Sequence, residues 1–130
     1  MSDKMSASTN ALNWFEISVT DMNRAQKFYE TIFEISMIPV EMMGMSMCMF
    51  NDGSSGSVGG SLVKSENHKP NMDGAVIYLN ANPDLQLVLN RVEKAGGKIL
   101  MPKMLIDENT GNMAFIADTE GNKVGLHSNK

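Results

Sequence analysis

The chain is short of the features that would send it out of the cell, into a membrane or onto nucleic acid. With one cysteine in 130 residues it can form no internal disulfide. Cys48 itself sits in the apolar run Met-Ser-Met-Cys-Met-Phe with no Arg or His beside it to favour the thiolate, so it is expected to be a buried, inert thiol. No apolar run approaches the length of a membrane span or follows a basic n-region, which excludes a membrane partner and makes the cytoplasm the expected compartment. Positive charge is also scarce: the net charge is -4, and nucleic-acid binding needs a concentrated excess of Lys and Arg. The glycine-rich stretches carry no Gly-Lys-Ser or Gly-Lys-Thr and lead into no helix, which argues against a phosphate loop.

What is present suits one folded domain. A chain of 130 residues with 42% hydrophobic composition can bury a sizeable core, and nothing in it requires a metal or disulfide staple. Residues 1–10 are small, polar and aperiodic, and are expected to form a disordered tail before a domain spanning 11–130. Within that domain Asn13 to Thr20 alternates, with Phe15, Ile17 and Val19 on one face and Trp14, Glu16 and Ser18 on the other. Thr20 or Asp21 then caps a helix whose Met22, Ala25, Phe28, Tyr29, Ile32 and Phe33 form one apolar stripe. Strands follow at about Ile35 to Met42, Met45 to Asn51 and Val58 to Lys64.

The pattern restarts after a polar link at 65–73. Ala75 to Ala81 reads as a strand, Asn82-Pro83-Asp84 opens a helix carrying Leu85, Val88, Leu89, Val92 and Ala95, and Gly96-Gly97 closes it. Three more strands are expected at about Lys98 to Met101, Gly111 to Ala117 and Asn122 to His127. The chain is therefore a duplication, strand, helix and three strands twice over, with module one at about 11–64 and module two at about 74–128. Each helix covers one face of its sheet. The uncovered faces, Trp14, Glu16 and Ser18 with Val76, Tyr78, Asn80, Gly125 and His127, would together enclose a cleft.

These residues resemble the vicinal-oxygen-chelate superfamily of glyoxalases, bleomycin-resistance proteins, extradiol dioxygenases and their relatives. The likeness covers nearly everything after residue 12. It is carried by Phe15-Glu-Ile-Ser-Val-Thr-Asp21 leading into Ala25-Gln-Lys-Phe-Tyr29, and by Met113 to Leu126 with its Asp118-Thr-Glu-Gly121 turn. The resemblance implies an α+β fold, two βαβββ modules forming a cupped half-barrel sheet with helices on the convex face, and a homodimer. In metal-dependent members it also implies a divalent ion held by His, Glu or Gln on the first and last strand of each module. Carried over, those four positions fall on Trp14, about Ser61, Val76 and Gly125, none of them a usual donor.

The expected cofactor is accordingly none, and the expected partner a small, partly planar molecule. Its contacts would be Trp14, Glu16, Tyr78, Asn80 and Met47, the last from a methionine-rich pair of strands read as deformable packing or pocket wall. An alternative is lyase or isomerase chemistry through Glu16 and His127. Another is a non-catalytic interaction module whose cleft has become core. His68, in the link, is expected to be a solvated loop residue.

Overall fold

A computed structural model describes residues 4–130. Residues 1–3 of the expected tail lie outside the described residues; within the rest, Thr9 and Ser6 close a turn. Module one runs β1 (Trp14–Ser18), α1 (Met22–Phe33), β2 (Ile38–Met42), β3 (Met45–Asn51) and β4 (Gly59–Lys64). Module two runs β5 (Tyr78–Asn80), α2 (Leu85–Val92), β6 (Lys98–Asp107), β7 (Gly111–Ala117) and β8 (Lys123–Ser128). The two sheets have the same order, β1-β4-β3-β2 and β5-β8-β7-β6, so the duplication read from the sequence is a structural one. In each, the first strand pairs in parallel with the last, which leaves β1 and β5 on outer edges.

Local chemistry sets both helices in the same way. Asp21 Oδ1 accepts the Arg24 N–H at 3.0 Å, and Asp84 Oδ1 accepts the Gln86 N–H at 2.9 Å, so each helix opens on an aspartate cap. Glu34 adopts the left-handed conformation that ends α1, and Gly96-Gly97 follows α2 as expected. The stripes of both helices are buried: Ala25, Phe28, Tyr29 and Ile32 in α1, Leu85, Val88, Leu89 and Val92 in α2. They meet the covered sheet faces, Ile17, Cys48 and Leu62 from one module and Leu79, Ala114, Ile116, Val124 and Leu126 from the other, in one continuous core. Burial pushes the Cys48 thiol up to about 11, with Glu30 adding to the shift, so the thiolate is disfavoured at neutral pH.

Three strands differ from their expected extent. The strand expected from Ala75 is only Tyr78–Asn80, because its ladder to β8 begins at the Ile77 carbonyl and upstream residues have no partner. Val76 thus lies outside the sheet and is exposed. β2 begins at Ile38, since Glu34 to Met37 are taken up by the end of α1 and the return from it. β6, expected to stop before Pro102, continues to Asp107. It is the outer strand of its sheet, where a residue without an N–H is tolerated, and the ladder with β7 is irregular around Met101 and Met104.

The turn between β7 and β8 fastens the modules together. Glu120 Oε1 accepts the N–H groups of Thr20 and Asp21, each at 2.9 Å, and its Oε2 accepts Arg24 Nε at 2.7 Å. Burial works against the ionisation of Glu120. The bonds from Arg24, Asp21, Thr20 and Thr119 outweigh it and hold the carboxyl at about 2. Asp118 Oδ2 accepts the buried Tyr29 hydroxyl at 2.6 Å, and burial, then this carboxylate, drives the phenol well above its usual range. Asn122 completes the junction: its Nδ2 donates to the Ser18 carbonyl at 2.8 Å, on the unpaired edge of β1.

Candidate ligand-binding site

Because the core takes one side of each sheet, alternation places the remaining side chains on the open faces. On the first sheet these are Trp14 and Glu16 of β1, Ser61 and Val63 of β4, and Met45, Met47 and Met49 of β3, in matching register. On the second they are Tyr78 and Asn80 of β5, Lys123, Gly125 and His127 of β8, Met113 and Phe115 of β7, and Met101 and Met104 of β6. Both open faces thus carry methionines, and Met47 is buried among the side chains of its own face.

Two glycines explain how the aromatic residues lie. Trp14 pairs with Gly59 and Tyr78 with Gly125 across their parallel ladders. A Cβ on Gly59 would meet the Trp14 ring at 2.8 Å, and one on Gly125 would meet the Tyr78 ring at 2.5 Å. In both modules an aromatic side chain from the first strand lies close against a glycine of the last. Gly125 therefore has a packing role as the bed of Tyr78, beyond the missing side chain noted in the sequence. Tyr78 in turn meets Phe115 with ring centroids 5.8 Å apart, and Lys123 Nζ sits 4.6 Å from the centre of the Phe115 ring.

Glu16 is the only carboxylate among these face residues, and its partner corrects the sequence reading. His68 is not a solvated loop residue: its Nε2 lies 3.0 Å from Glu16 Oε1 and its Nδ1 lies 2.7 Å from Ser65 Oγ. The link folds back through a Ser65–His68 bridge and brings the imidazole to β1. Trp14 Nε1 donates to Glu16 Oε2 at 3.3 Å, so indole, carboxylate, imidazole and hydroxyl form one hydrogen-bonded row. With Glu16 ionised, Nε2–H donates to it and Nδ1 accepts from Ser65.

His127 is engaged elsewhere. Its Nε2 donates to the Thr110 carbonyl at 2.6 Å, closing the β6–β7 end of its own sheet, and it makes no hydrogen bond with Glu16. Asn80 is opposite His127, and its Oδ1 accepts the Asn82 N–H at 3.0 Å, which shapes the approach to α2. The Ser65-to-His68 spacing could have signalled a local turn. The contact that matters, across 52 positions to Glu16, left no trace in the sequence.

One buried polar atom on this face has no partner among the described residues. Ser61 Oγ is fully buried directly opposite Glu16 in the β1–β4 ladder and makes no hydrogen bond. A small cavity of about 150 Å³ lies at the module junction beside Glu16 and Ser18, reached by Lys69, Asp73 and Lys123. A larger one of about 740 Å³ takes Tyr78 and Asn80 into its wall but not Trp14 or Glu16.

Comparison with known proteins agrees with this architecture. The family model of the Glyoxalase/Bleomycin resistance protein/Dioxygenase superfamily matches residues 11–126. Curated relatives named "Putative glyoxylase CFP32", from Mycobacterium bovis and Mycobacterium tuberculosis, are 27% identical over 118 residues, covering 88% of this chain. The match covers only 44% of the length of those relatives. Among solved structures, a glyoxalase I variant from Zea mays has a TM-score of 0.68 at 16% identity, over 92% of this chain and 45% of that one. The fosfomycin resistance protein FosX from Listeria monocytogenes has a TM-score of 0.62 at 13% identity, over 94% and 93%. A hypothetical protein from S. aureus has a TM-score of 0.61 at 19% identity, over 96% and 95%. At these identities the structural likenesses speak for the fold alone. The family match, spanning both modules, carries the conclusion that this chain belongs to the glyoxalase/bleomycin resistance protein/dioxygenase superfamily.

Proposed function

We propose that the chain binds a small, partly planar organic molecule on its open sheet faces, without a resident metal ion. The observation that carries this reading is the Trp14–Glu16–His68 row, a polar anchor beside a flat indole on a face otherwise lined by methionine. Thioethers are polarisable and conformationally adaptable, which suits a wall that accommodates a ring. A divalent ion of the kind bound elsewhere in the superfamily needs three or four nitrogen, oxygen or sulfur donors around one point. Trp14, Val76 and Gly125 have none to give, and Ser61 offers only a hydroxyl. A longer side chain at position 125 would collide with the Tyr78 ring, so the residues present do not fit such an ion. Among the described residues no group of three His, Cys, Asp or Glu side chains is placed to hold a metal.

The test is a thermal-shift screen of aromatic compounds on metal-analysed protein. A ligand at 100 times its dissociation constant adds about 2.7 kcal/mol of stability. Hits are expected to weaken in Glu16→Gln and Trp14→Ala. One equivalent of tightly held Zn, Ni, Fe or Mn per chain, or hits indifferent to both substitutions, would refute the reading. A second reading, lyase or isomerase chemistry through Glu16, is favoured by the same row, but with His68 in place of His127 as the imidazole in contact. We also propose a homodimer, supported by the exposed apolar residues on the outer strands, Ile38 and Met42 of β2 and Leu100, Met104, Leu105 and Ile106 of β6.

A further inference from the structure

The larger cavity shares Tyr78 and Asn80 with the open face of the second sheet but takes in neither Trp14 nor Glu16. Its walls come from the lower end of module one, Phe15, Phe33, Ile35 and Phe50, and from the outer side of α2, Leu87 and Arg91. Phe15 and Phe50 pack against the core on the helix-covered side of the first sheet, and Tyr78 and Asn80 close the groove from module two, so it lies between the modules and away from Trp14 and Glu16. Its volume of about 740 Å³ falls within the roughly 300–1,000 Å³ of sites that enclose small molecules. Apolar side chains that would otherwise be core residues remain open to it: Ile35 is 38% exposed and Leu87 50%. Phe15 and Phe50 stand 5.6 Å apart at a 40° tilt, offering ring faces and edges to an aromatic guest.

Three charged side chains line the groove, Glu34, Asp84 and Arg91. Asp84 is already spent, capping α2 and paired with Lys103 Nζ at 2.9 Å. Arg91 is not: its Nε donates to the Ile32 carbonyl at 2.9 Å, which fixes the guanidinium plane and leaves the terminal N–H groups available. Its other partner is Glu34, whose carboxylate stands 3.7 Å from Nη1, outside hydrogen-bond distance, on a side chain 72% exposed. A planar guanidinium held by one nitrogen is arranged to receive a carboxylate through two parallel bonds, and Glu34 can yield its place by turning to solvent. We propose that this inter-module groove is a second binding site, for an aromatic monocarboxylate whose ring lies among Phe15, Phe33 and Phe50 and whose carboxylate pairs with Arg91.

The proposal is tested on the full chain with naphthalene-2-carboxylate and its uncharged counterpart naphthalene-2-carboxamide, by NMR titration. The carboxylate is expected to shift Leu87 and Arg91 resonances saturably and to bind about tenfold more tightly than the carboxamide, the factor that one charge-assisted pair supplies. Arg91→Gln should remove that preference without changing carboxamide binding, and Arg91→Lys should restore part of it. Because Arg91 also bonds to α1, Leu87→Glu on the exposed side of α2 serves as a second variant, expected to weaken both probes with the fold intact by far-UV circular dichroism. Equal affinity for the two probes, an unaltered preference in Arg91→Gln, shifts confined to the Trp14 indole, or no saturable binding at millimolar concentration would overturn it. Loss of the Trp14 and Glu16 reading leaves this site standing, since it shares neither residue.

Discussion

His68 changes what Glu16 can do. Alone on an open face, a carboxylate beside an indole is a hydrogen-bond acceptor; with an imidazole at 3.0 Å and a serine hydroxyl behind it, it becomes one member of a hydrogen-bonded row that crosses from β1 to the link. The chain has one tryptophan, so Trp14 emission reports on this row alone. His68→Ala is expected to shift that emission while leaving far-UV circular dichroism unchanged, at a stability change of about 0–1 kcal/mol for a half-exposed pair. Unmoved emission would show that the link does not rest against Trp14. The sequence showed Trp14 and Glu16 as neighbours on one face, because strand alternation is a local rule. It could not show His68, because a ring reaching across a link depends on how that link folds.

At the scale of elements, legibility follows the same division. Both helices, their aspartate caps and their buried stripes were readable, since each depends on residues within one or two turns. β5 was overestimated because Val76 and Ile77 look like strand residues, yet a strand exists only where a partner offers bonds. β6 was underestimated because Pro102 reads as a stop, when it marks an outer strand. Glycines in β4 and β8 lie where the chain's own aromatic rings come close. Gly60 is the sharpest case, since a Cβ there would run into the Phe15 ring. Gly60→Ala is expected to destabilise the fold by about 1–3 kcal/mol, measured by urea unfolding, as overpacking does in a filled core. A neutral result would mean the Phe15 ring turns aside without cost.

For the whole molecule, the junction at Glu120 makes stability depend on pH. Its carboxyl is held at about 2 in the folded chain, below an ordinary unfolded value of about 4.5, so the native state favours the charged form. The stabilisation is complete above the unfolded value and is lost as pH falls from there toward 2. Glu120→Gln is expected to lower stability at pH 7 by about 1–3 kcal/mol, and the gap from the parent should close on acidification through that window. A gap independent of pH would assign the loss to packing. The proposed dimer has its own test: Leu105, 58% exposed on β6, is expected to yield monomers on size-exclusion chromatography when changed to Glu. An unchanged elution volume would place the interface elsewhere.

The β7–β8 turn has a consequence for the duplication itself. Three of its polar residues serve the other half of the chain: Glu120 accepts the N–H groups of Thr20 and Asp21 just before α1, Asp118 receives the hydroxyl of Tyr29, and Asn122 satisfies a carbonyl on the bare edge of β1. Module one caps its helix with its own Asp21, but it draws on module two for partners to the Thr20 and Asp21 N–H groups and to the Ser18 carbonyl on its edge. Severing the chain in the link at 65–73 would yield two incomplete fragments rather than two small domains, and mixing them should restore the fold in proportion to their concentration. The repeat is symmetric in its elements and asymmetric in how they are joined, since module two's turn supplies what module one lacks.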